Sequence, residues 1–432
     1  MHLTPYRAVL RIPGMRLFML VALIARIPMT ATSIALTLGV VLDRHLGYGA
    51  AGAVSAAFTV GLAVGSPLLG RAVDRRGPRP VLLLTGVVAL AFWTTSPLLP
   101  YAVLIPAAAV GGALQVPVMG LVRQSLAAKV PEEHRRQAYS LDSMAVELSF
   151  MIGPALAVLM ITQLGDAVST LRTVGVALGV SAAVLWAYNP RITALNGTSQ
   201  TDTAPTGTAA DGGTPLPHPR RSWFGPQFLL VLGVAGAAAM VLAGTDVSIV
   251  ATLRAQGQVH WAGIAIITWC AASMVGGFVH GAIPRPLGML TLMALLGAAT
   301  IPTGLAHSWP LLALALIPSG LFTAPTLSQT VLAVSRAVPE SARGEAIGMH
   351  SAALTLGNAV GAPLAGIVID HSSPAYGFVA VGLVGAAGAL TVLGVRTVRR
   401  LQRQAALAPP SAPAELPATG YTEYAAGGVA GE

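Results

Sequence analysis

The chain has 432 residues, of which 54% are hydrophobic and only 9% are charged. An average soluble chain carries about 25% charged residues, so this composition excludes an ordinary soluble globular protein. The net charge of +9 would suggest nucleic acid as the partner of a soluble protein, but here the basic residues lie between long apolar stretches, where membrane topology explains them. We therefore expect a polytopic membrane protein with no nucleic-acid partner.

Twelve apolar stretches follow one another, and each is long enough to cross about 30 Å of hydrocarbon as a helix. They cover residues 15–42, 48–70, 80–98, 101–127, 137–162, 167–190, 225–251, 258–282, 286–306, 309–334, 344–369 and 373–396. The first stretch far exceeds the roughly 7–15 apolar residues of a signal peptide, so we interpret it as a retained span. Cys270, the only cysteine, lies in the eighth stretch, which excludes an intramolecular disulfide and indicates a buried thiol.

The basic residues are distributed asymmetrically between the two predicted faces of the membrane. If the chain starts inside, the outer connections hold only Arg44, Arg172 and Arg254 of the 25 Lys and Arg residues. Short loops rich in Arg and Lys stay in the cytoplasm. We therefore predict that both termini are cytoplasmic and that the protein lies in the inner (cytoplasmic) membrane of the cell.

The apolar part of the chain falls into two halves of similar length, 15–190 and 225–398. Residues 191–224 between them are rich in polar and small residues, as are residues 399–432 at the end. Such segments bury too little apolar surface to fold, so we predict a disordered cytoplasmic linker and a disordered cytoplasmic tail. Residues 1–14 form the predicted cytoplasmic N-terminus.

The two halves also repeat each other in sequence. The matched pairs, all at one offset, are Gly112 and Gly320, Pro117 and Pro325, Pro131 and Pro339, Glu132 and Glu340, Arg135 and Arg343, Ala138 and Ala346, Ser143 and Ser351, and Gly153 and Gly361. A duplicated six-helix unit is typical of secondary transporters, which bind substrate near the middle of the membrane between the halves.

The connection between the second and third stretches carries the most specific motif. Residues 70–80, GRAVDRRGPRP, resemble the signature loop of the major facilitator superfamily: Gly, any residue, small or Leu, small, Asp, Arg, any residue, Gly, then basic residues. Ala72 and Pro78 depart mildly from that pattern. The resemblance implies an all-α membrane protein with 12 transmembrane helices in two six-helix halves, covering about residues 15–398.

In that family the loop controls opening of the cytoplasmic side, which the resemblance carries to Gly70, Asp74, Arg75, Gly77 and Arg79. The glycines permit tight turning and close helix approach. Asp74 is suited to face a helix N-terminus or an arginine of the other half. Arg75 and Arg79 either bind lipid headgroups or only set the topology. The counterpart in the second half, residues 281–286, is shorter and has lost the acid.

A second, partial resemblance lies in the fifth stretch. Gly153 and Pro154 are similar to the Gly-Pro motif of the proton-coupled antiporters of the superfamily, although Ala155, Ala157 and Val158 follow where further glycines are usual. This resemblance implies a relationship to the drug or metabolite:proton antiporters.

Ionisable residues inside a span are costly and indicate function by default. Glu147 lies about 15 Å along the fifth span and is the first candidate for proton coupling, or else a structural acid paired with arginine. Arg26, near the middle of the first span, is its predicted partner, or else holds an anionic substrate. Asp246, late in the seventh span, is a second candidate proton or cation site, or an outer gate.

Other polar residues of the spans have weaker signals. We expect Asp142 to be interfacial, and Arg123 to pair with Asp74 or Asp142 as a charge relay. Gln115 and Asn358 are candidate polar residues of the substrate cavity. The sequence contains no metal-ligand spacing, no Walker loop and no catalytic constellation, so we expect no metal, no cofactor and no enzymatic activity.

These observations predict a secondary active transporter that exports a small organic compound, driven by protons, by alternating access. A proton-linked importer or facilitator of a nutrient is the alternative, and a non-transporting sensor or scaffold is a more distant one. The expected partners are the substrate, protons and the bilayer, and we expect a monomer.

Overall fold

The computed structural model describes residues 4–44, 46, 48–164, 166–188 and 223–407. Over these ranges the chain is a succession of helices with short connections. Helices α1 to α14 cover Thr4–Arg11, Met15–Leu38, Tyr48–Arg76, Pro78–Thr95, Tyr101–Ala113, Val118–Lys129, Glu132–Leu164, Ala167–Tyr188, Pro226–Ala255, Ala262–Ala282, Met289–Thr300, Trp309–Ala337, Arg343–His371 and Pro374–Leu407. A π-helical turn, Gly39–Asp43, extends α2, and a 3-10 turn, Ile301–Leu305, extends α11.

Ten helical segments in the described chain are long and apolar enough to cross a membrane. Two shorter apolar segments, Met289–Leu305 and Pro374–Leu390, lie where the sequence predicts spans nine and twelve. The protein is therefore an all-helical, multi-pass membrane protein, and the count of twelve spans stays a prediction. Residues 191–222 of the predicted linker lie outside the described residues. Helix α14 continues to Leu407, so the predicted tail is helical where it begins, and its remainder is also outside them.

Most of the signature segment is helical, and the turn that joins spans two and three is confined to one residue. Helix α3 continues to Arg76 and α4 begins at Pro78, so Gly77 alone separates them. Gly77 has φ 78°, a left-handed conformation that glycine adopts without steric cost, and its N–H donates to the Val73 carbonyl at 2.9 Å. Asp74 therefore lies on the last turn of α3.

Span four is a broken helix, which the sequence did not predict. Helix α5 ends at Ala113 and α6 begins at Val118, with Gln115 in the break. Pro117 has no N–H with which to continue the α5 hydrogen bonds. The corresponding helix of the second half, α12, runs unbroken from Trp309 to Ala337. The halves thus differ at the span that carries Gln115.

The helix packing has the same repeat as the sequence. In the first half α2 packs on α7, α3 on α5, and α4 on α8; in the second half α9 packs on α13, α10 on α12, and α11 on α14. The halves meet where α3 packs on α13 and α7 on α10. These two contacts are equivalent under the repeat.

The outer surface of the helices is apolar. On α2, Leu17, Leu20 and Ile24 are exposed, whereas Phe18 and Ala22 on the opposite side are fully buried. A soluble protein rarely exposes such a continuous apolar stripe, whereas a spanning helix presents one to lipid.

A short helix precedes the first span. In α1, Val9 is fully buried and Tyr6 is 4% exposed. Gly14, with φ 75°, turns the chain into α2, and the Tyr188 hydroxyl donates to the Gly14 carbonyl at 3.2 Å. This segment was predicted only as part of a cytoplasmic N-terminus, and its packing against the bundle was not predicted.

Candidate functional site

Asp74 joins the two halves where α3 meets α13. Its Oδ1 accepts the Gly344 N–H at 2.8 Å, and its Oδ2 accepts the Glu345 N–H at 2.8 Å. The first N–H groups of a helix have no partner within the helix and carry a partial positive charge. The buried carboxylate therefore caps α13 from the other half, the first of the two arrangements that the sequence suggested for Asp74.

Glycine allows the two helices to approach closely enough for this contact. A Cβ on Gly344 would lie 2.3 Å from Asp74 Oδ1 and 2.5 Å from the Gly70 carbonyl oxygen. A Cβ on Gly70 would lie 2.1 Å from the Gly344 oxygen, and one on Gly348 would lie 2.3 Å from the Ser66 oxygen. No side chain fits at these distances, so the α3–α13 contact depends on glycine.

The basic residues of the signature segment lie around this contact. Arg71 approaches Glu345 with an Nε–Oε2 distance of 3.8 Å. Arg75 and Arg79 are exposed, and the Arg79 guanidinium lies over the Trp186 ring, 5.3 Å from its centroid. Their exposure leaves them free to meet headgroups, and their role stays a prediction.

The equivalent contact, between α10 and α7, uses other groups. Arg136 donates to the Ile283 carbonyl at 2.7 Å, and Gln137 Nε2 donates to the Gly281 carbonyl at 3.1 Å. The Tyr6 hydroxyl donates to the Phe278 carbonyl at 2.6 Å, and the two rings stack with centroids 5.0 Å apart. Helix α1 thus fastens the end of α10 where the acid of the motif is missing.

We call the side of the molecule that carries Asp74, Tyr6 and Arg136 the N-terminal face. The hydrogen bonds and ion pairs between the halves that are described here lie between this face and the middle of the spans. The deepest of them joins Glu147 to Ser273. The halves are therefore closed at the N-terminal face.

A charge network lies in the first half, buried below that closure. Arg26, which is fully buried, forms an ion pair with Asp142, and Arg123 Nε approaches Asp142 Oδ2 at 3.4 Å. The predicted pairing of Arg26 with Glu147 is wrong, and so is the prediction that Asp142 is interfacial, because Asp142 is 1% exposed. Residues five apart on a helix point about 140° apart, so Asp142 and Glu147 cannot both face α2.

Arg123 also reaches across to the second half. Its NH1 lies 3.5 Å from His350 Nδ1, and His350 Nε2 lies 2.8 Å from Thr330 Oγ1. Of the two partners predicted for Arg123, the structure brings it to Asp142 rather than Asp74. His350 is the repeat counterpart of Asp142, and that shared register was the signal in the sequence that could have identified it.

Glu147 lies between the halves on the side of α7 that faces α10. The Ser273 hydroxyl donates to Glu147 Oε1 at 2.8 Å and accepts the Ala324 N–H at 3.1 Å. An acid near the middle of the membrane is thus shared by helices of both halves.

Asp246 lies on α9, exposed in a cavity of about 720 Å³. Arg254 and Asp370 line the same cavity. The two acids predicted for proton coupling therefore come from different halves.

The remaining predicted residues are placed separately. Gln115 is buried in the break of span four, and its Oε1 has no hydrogen-bond partner among the described residues. Asn358 is exposed on α13.

Gly153 lies where α7 crosses α2, and a Cβ there would lie 2.0 Å from Thr30 Oγ1; Pro154 follows inside α7. Gly153 thus allows α7 and α2 to pack closely. Among the described residues, no cluster of side chains is suited to bind a metal.

Comparison with solved structures finds the same fold in several transporters. The human organic anion transporter MFSD10 aligns with a TM-score of 0.65 and 16% identity over 88% of this chain and 99% of its own. A bacterial homologue of the iron transporter ferroportin, in an outward-facing state, aligns with a TM-score of 0.66 and 14% identity. The alignment covers 87% of this chain and 98% of the homologue. The proton:xylose symporter XylE aligns with a TM-score of 0.61 and 15% identity over 87% of this chain and 94% of the symporter. At these identities the likeness concerns the fold alone.

Sequence comparisons identify the family. A comparison with curated proteins gives no match. The family model of the Major Facilitator Superfamily matches residues 18–283 and 248–425, which together span nearly the whole chain. The protein therefore belongs to the major facilitator superfamily of membrane transporters.

Proposed function

We propose that this protein is a secondary active transporter that exports a small organic compound in exchange for protons. The observation that carries the proposal is Glu147, an acid inside a span at the contact between the halves. A charged carboxylate at that depth is costly, and binding a proton removes the charge. Movement of the halves against each other changes the contact with Ser273 and with it the affinity of Glu147 for the proton.

Asp246 supplies a second proton site in this proposal. It belongs to the second half and Glu147 to the first, so the distance between the two acids changes when the halves move. Gln115 and Asn358 are assigned to the substrate cavity, and Arg26 to the charge pair with Asp142. The Gly153-Pro154 motif favours antiport over symport.

Asp74 is assigned the role of gate. We take the N-terminal face as cytoplasmic, with both termini on that side of the cell membrane, because the basic residues concentrate there. The closed N-terminal face then corresponds to an outward-facing state. Protons enter from outside, and the Asp74 contact must break before the substrate can bind from the cytoplasm.

Import driven by protons is the alternative. The superfamily fold serves an organic anion transporter, a sugar symporter and a ferroportin homologue, so the fold does not choose the direction. A scaffold without transport gains nothing from the buried charges of Arg26 and Asp142, which favours transport. We propose that the protein acts as a monomer with substrate, protons and lipid as its only partners.

A growth-inhibition panel of toxic compounds in a pump-deficient bacterial host tests export. The intact protein is compared with Glu147→Gln and Asp74→Asn at equal expression, and with Glu133→Gln as a matched control, since Glu133 is an exposed acid of the same helix. Export predicts protection by the intact protein and by Glu133→Gln, and loss of protection in the other two.

Other outcomes would contradict the proposal in distinct ways. Increased sensitivity of cells with the intact protein would indicate import. Full protection by Glu147→Gln would remove Glu147 as the obligatory proton carrier and leave Asp246. In proteoliposomes, substrate flux that does not respond to an imposed pH gradient would exclude proton coupling altogether.

A further inference from the structure

His350 is a buried titratable residue at the contact between the halves, and the proposed function does not use it. It lies on α13, 1% exposed, at the repeat position that Asp142 occupies on α7. Arg123 of the first half lies between the two, with Nε toward Asp142 and NH1 toward His350. His350 therefore forms the second-half end of a charge network that begins at Arg26.

The hydrogen bonds determine which nitrogen of His350 carries the proton. Arg123 NH1 can only donate, so Nδ1 of His350, 3.5 Å away, is the acceptor. Nε2 then donates to Thr330 Oγ1, 2.8 Å away, while the Thr330 hydroxyl donates to the Leu327 carbonyl at 2.7 Å. Nε2 is then the protonated nitrogen, and the lone pair of Nδ1 faces the Arg123 NH1. The contact that joins the halves requires a neutral His350.

A second proton on His350 changes the sign of this contact. An N–H at Nδ1 would face the N–H of Arg123, and the imidazolium charge would lie beside a guanidinium. Asp142 is already shared by Arg26 and Arg123, so the network has no carboxylate left to balance another positive charge. Two like charges a few ångströms apart and out of water repel strongly.

Other charged groups lie farther from His350. Asp142 on α7 and Arg26 on α2 reach it only through Arg123. From α12 it meets Thr330, which is uncharged. Asp74 of α3 binds the N–H groups of Gly344 and Glu345 at the start of α13, and the buried Glu345 lies about 140° around that helix from His350. Asp246 lines a cavity with Asp370, near the other end of α13.

We propose that protonation of His350 opens the N-terminal face. A proton from water adds to Nδ1, the Arg123–His350 hydrogen bond is lost, and repulsion drives α6 from α13. The direction agrees with the antiport on which this inference rests: protonation favours the state open to the cytoplasm, and loss of the proton there allows the halves to close again.

A cysteine reporter on the N-terminal face measures the opening without transport. Ser335→Cys suits this purpose because Ser335 is 2% exposed on α12 and adjoins Arg336, which pairs with Glu132 of the first half. The only native cysteine is removed by Cys270→Ser. In purified full-length protein, the maleimide labelling rate of the reporter is followed from pH 8 to pH 5.5, with His350, His350→Asn or His350→Gln in the same background.

Dividing the rate for His350 by the rate for each neutral variant at the same pH cancels the titration of the reporter thiol. The proposal predicts that this ratio rises as the pH falls, by up to about tenfold per pH unit where one proton is linked to opening. His371→Gln is the control, because His371 lies on the same helix, α13, but at its other end, and is exposed. It should leave the pH dependence unchanged.

A merely structural His350 gives a different result. Its neutral variants would then label faster or slower at every pH, with a constant ratio, and the proposal would be overturned. If that happens while proton-driven transport persists in His350→Asn, only this inference fails. If the intact protein shows neither transport nor pH-dependent labelling, the proposed function fails with it.

Discussion

The two contacts that close the N-terminal face are equivalent under the internal repeat, yet they are built from opposite chemistry. At α3–α13 a side chain, Asp74, accepts hydrogen bonds from the backbone of Gly344 and Glu345. At α10–α7 the side chains of Arg136 and Gln137 donate to backbone carbonyls of the other half. Arg136 and Gln137 occupy the repeat positions of Gly344 and Glu345.

The start of each helix explains the difference. Helix α13 begins at Arg343, so the N–H groups of the next two residues are free to bind an acid. Helix α7 begins earlier in the repeat, at Glu132, and the N–H of Arg136 is already used within the helix. An acid at the end of α10 would meet no free donors. The acid of the motif can therefore bind the facing helix only where that helix begins just before the residues that the acid meets, so that their N–H groups are free.

The largest expected effect comes from replacing glycine by alanine at each contact, because the added methyl group meets different neighbours at α3–α13 and at α10–α7. In Gly344→Ala the new methyl group meets Asp74 Oδ1 at 2.3 Å and a backbone oxygen at 2.5 Å, which cannot both move away. In Gly281→Ala it meets the Tyr6 hydroxyl at 1.9 Å, the end of a side chain that can swing aside. We expect Gly344→Ala to weaken closure by about 1–3 kcal/mol, and Gly281→Ala by less.

The Ser335→Cys labelling rate measures both substitutions at constant pH. Gly344→Ala should raise the rate about 5- to 100-fold, since about 1.4 kcal/mol is tenfold. Equal rates in the two variants would contradict the view that only the α3–α13 contact depends on close backbone approach.

A smaller effect is expected from the charge of Asp74. Asp74→Asn keeps the shape but leaves one carbonyl oxygen for two N–H donors and removes the attraction to the helix N-terminus. Hydrogen bonds to charged groups contribute about 1.5–3 kcal/mol, of which we expect about half to be lost. The reporter should label several-fold faster. Gln137→Ala, which removes a neutral bond at the other contact, should have a smaller effect, and the reverse order would contradict the comparison.

The smallest effect is expected from Tyr6. Tyr6→Phe removes one neutral hydrogen bond, worth about 0.5–1.5 kcal/mol, and keeps the stacking on Phe278. Desolvation by burial raises the pKa of Tyr6 to about 12 from its ordinary value of 10. Because the pKa is raised, the neutral Tyr6 hydroxyl makes its full contribution to closure below pH 10, and that contribution is lost as the pH rises through 12. The labelling rate of the reporter should therefore depend on pH in the same way in Tyr6→Phe and in the protein with Tyr6, as long as the pH is below 9. A ratio of the two rates that changes between pH 6 and 9 would contradict the assignment of a neutral hydrogen bond to Tyr6.

The helices and the motif were predictable because their signals are local. Long apolar stretches predict spans wherever they occur, and the two shorter apolar segments lie within predicted stretches. The position of Asp74 followed from the motif, and one of the two partners suggested for it is the one observed. The break of span four was missed because Pro117 has a repeat counterpart, Pro325, that lies inside an unbroken helix. The same residue type thus gave no local signal for the break.

Which charges meet was decided by the tertiary structure. Depth in the membrane suggested Arg26 and Glu147 as partners, but depth does not specify the direction in which a side chain points. Helical rotation directs Asp142 toward Arg26 and Glu147 toward Ser273. Helix α1 shows the same limit, because no pattern within eight residues indicates that Tyr6 will meet Phe278.

The sequence by itself determined the class of protein, the apolar spans, the duplication and the place of the signature motif, since hydropathy, turn residues and repeats depend only on neighbours along the chain. The tertiary structure alone decided that Asp142 belongs with two arginines, that Arg123 reaches His350, and that Glu147 is held by the other half. Such pairs depend on helix rotation and on how two halves dock, and both are set by packing among residues distant in sequence.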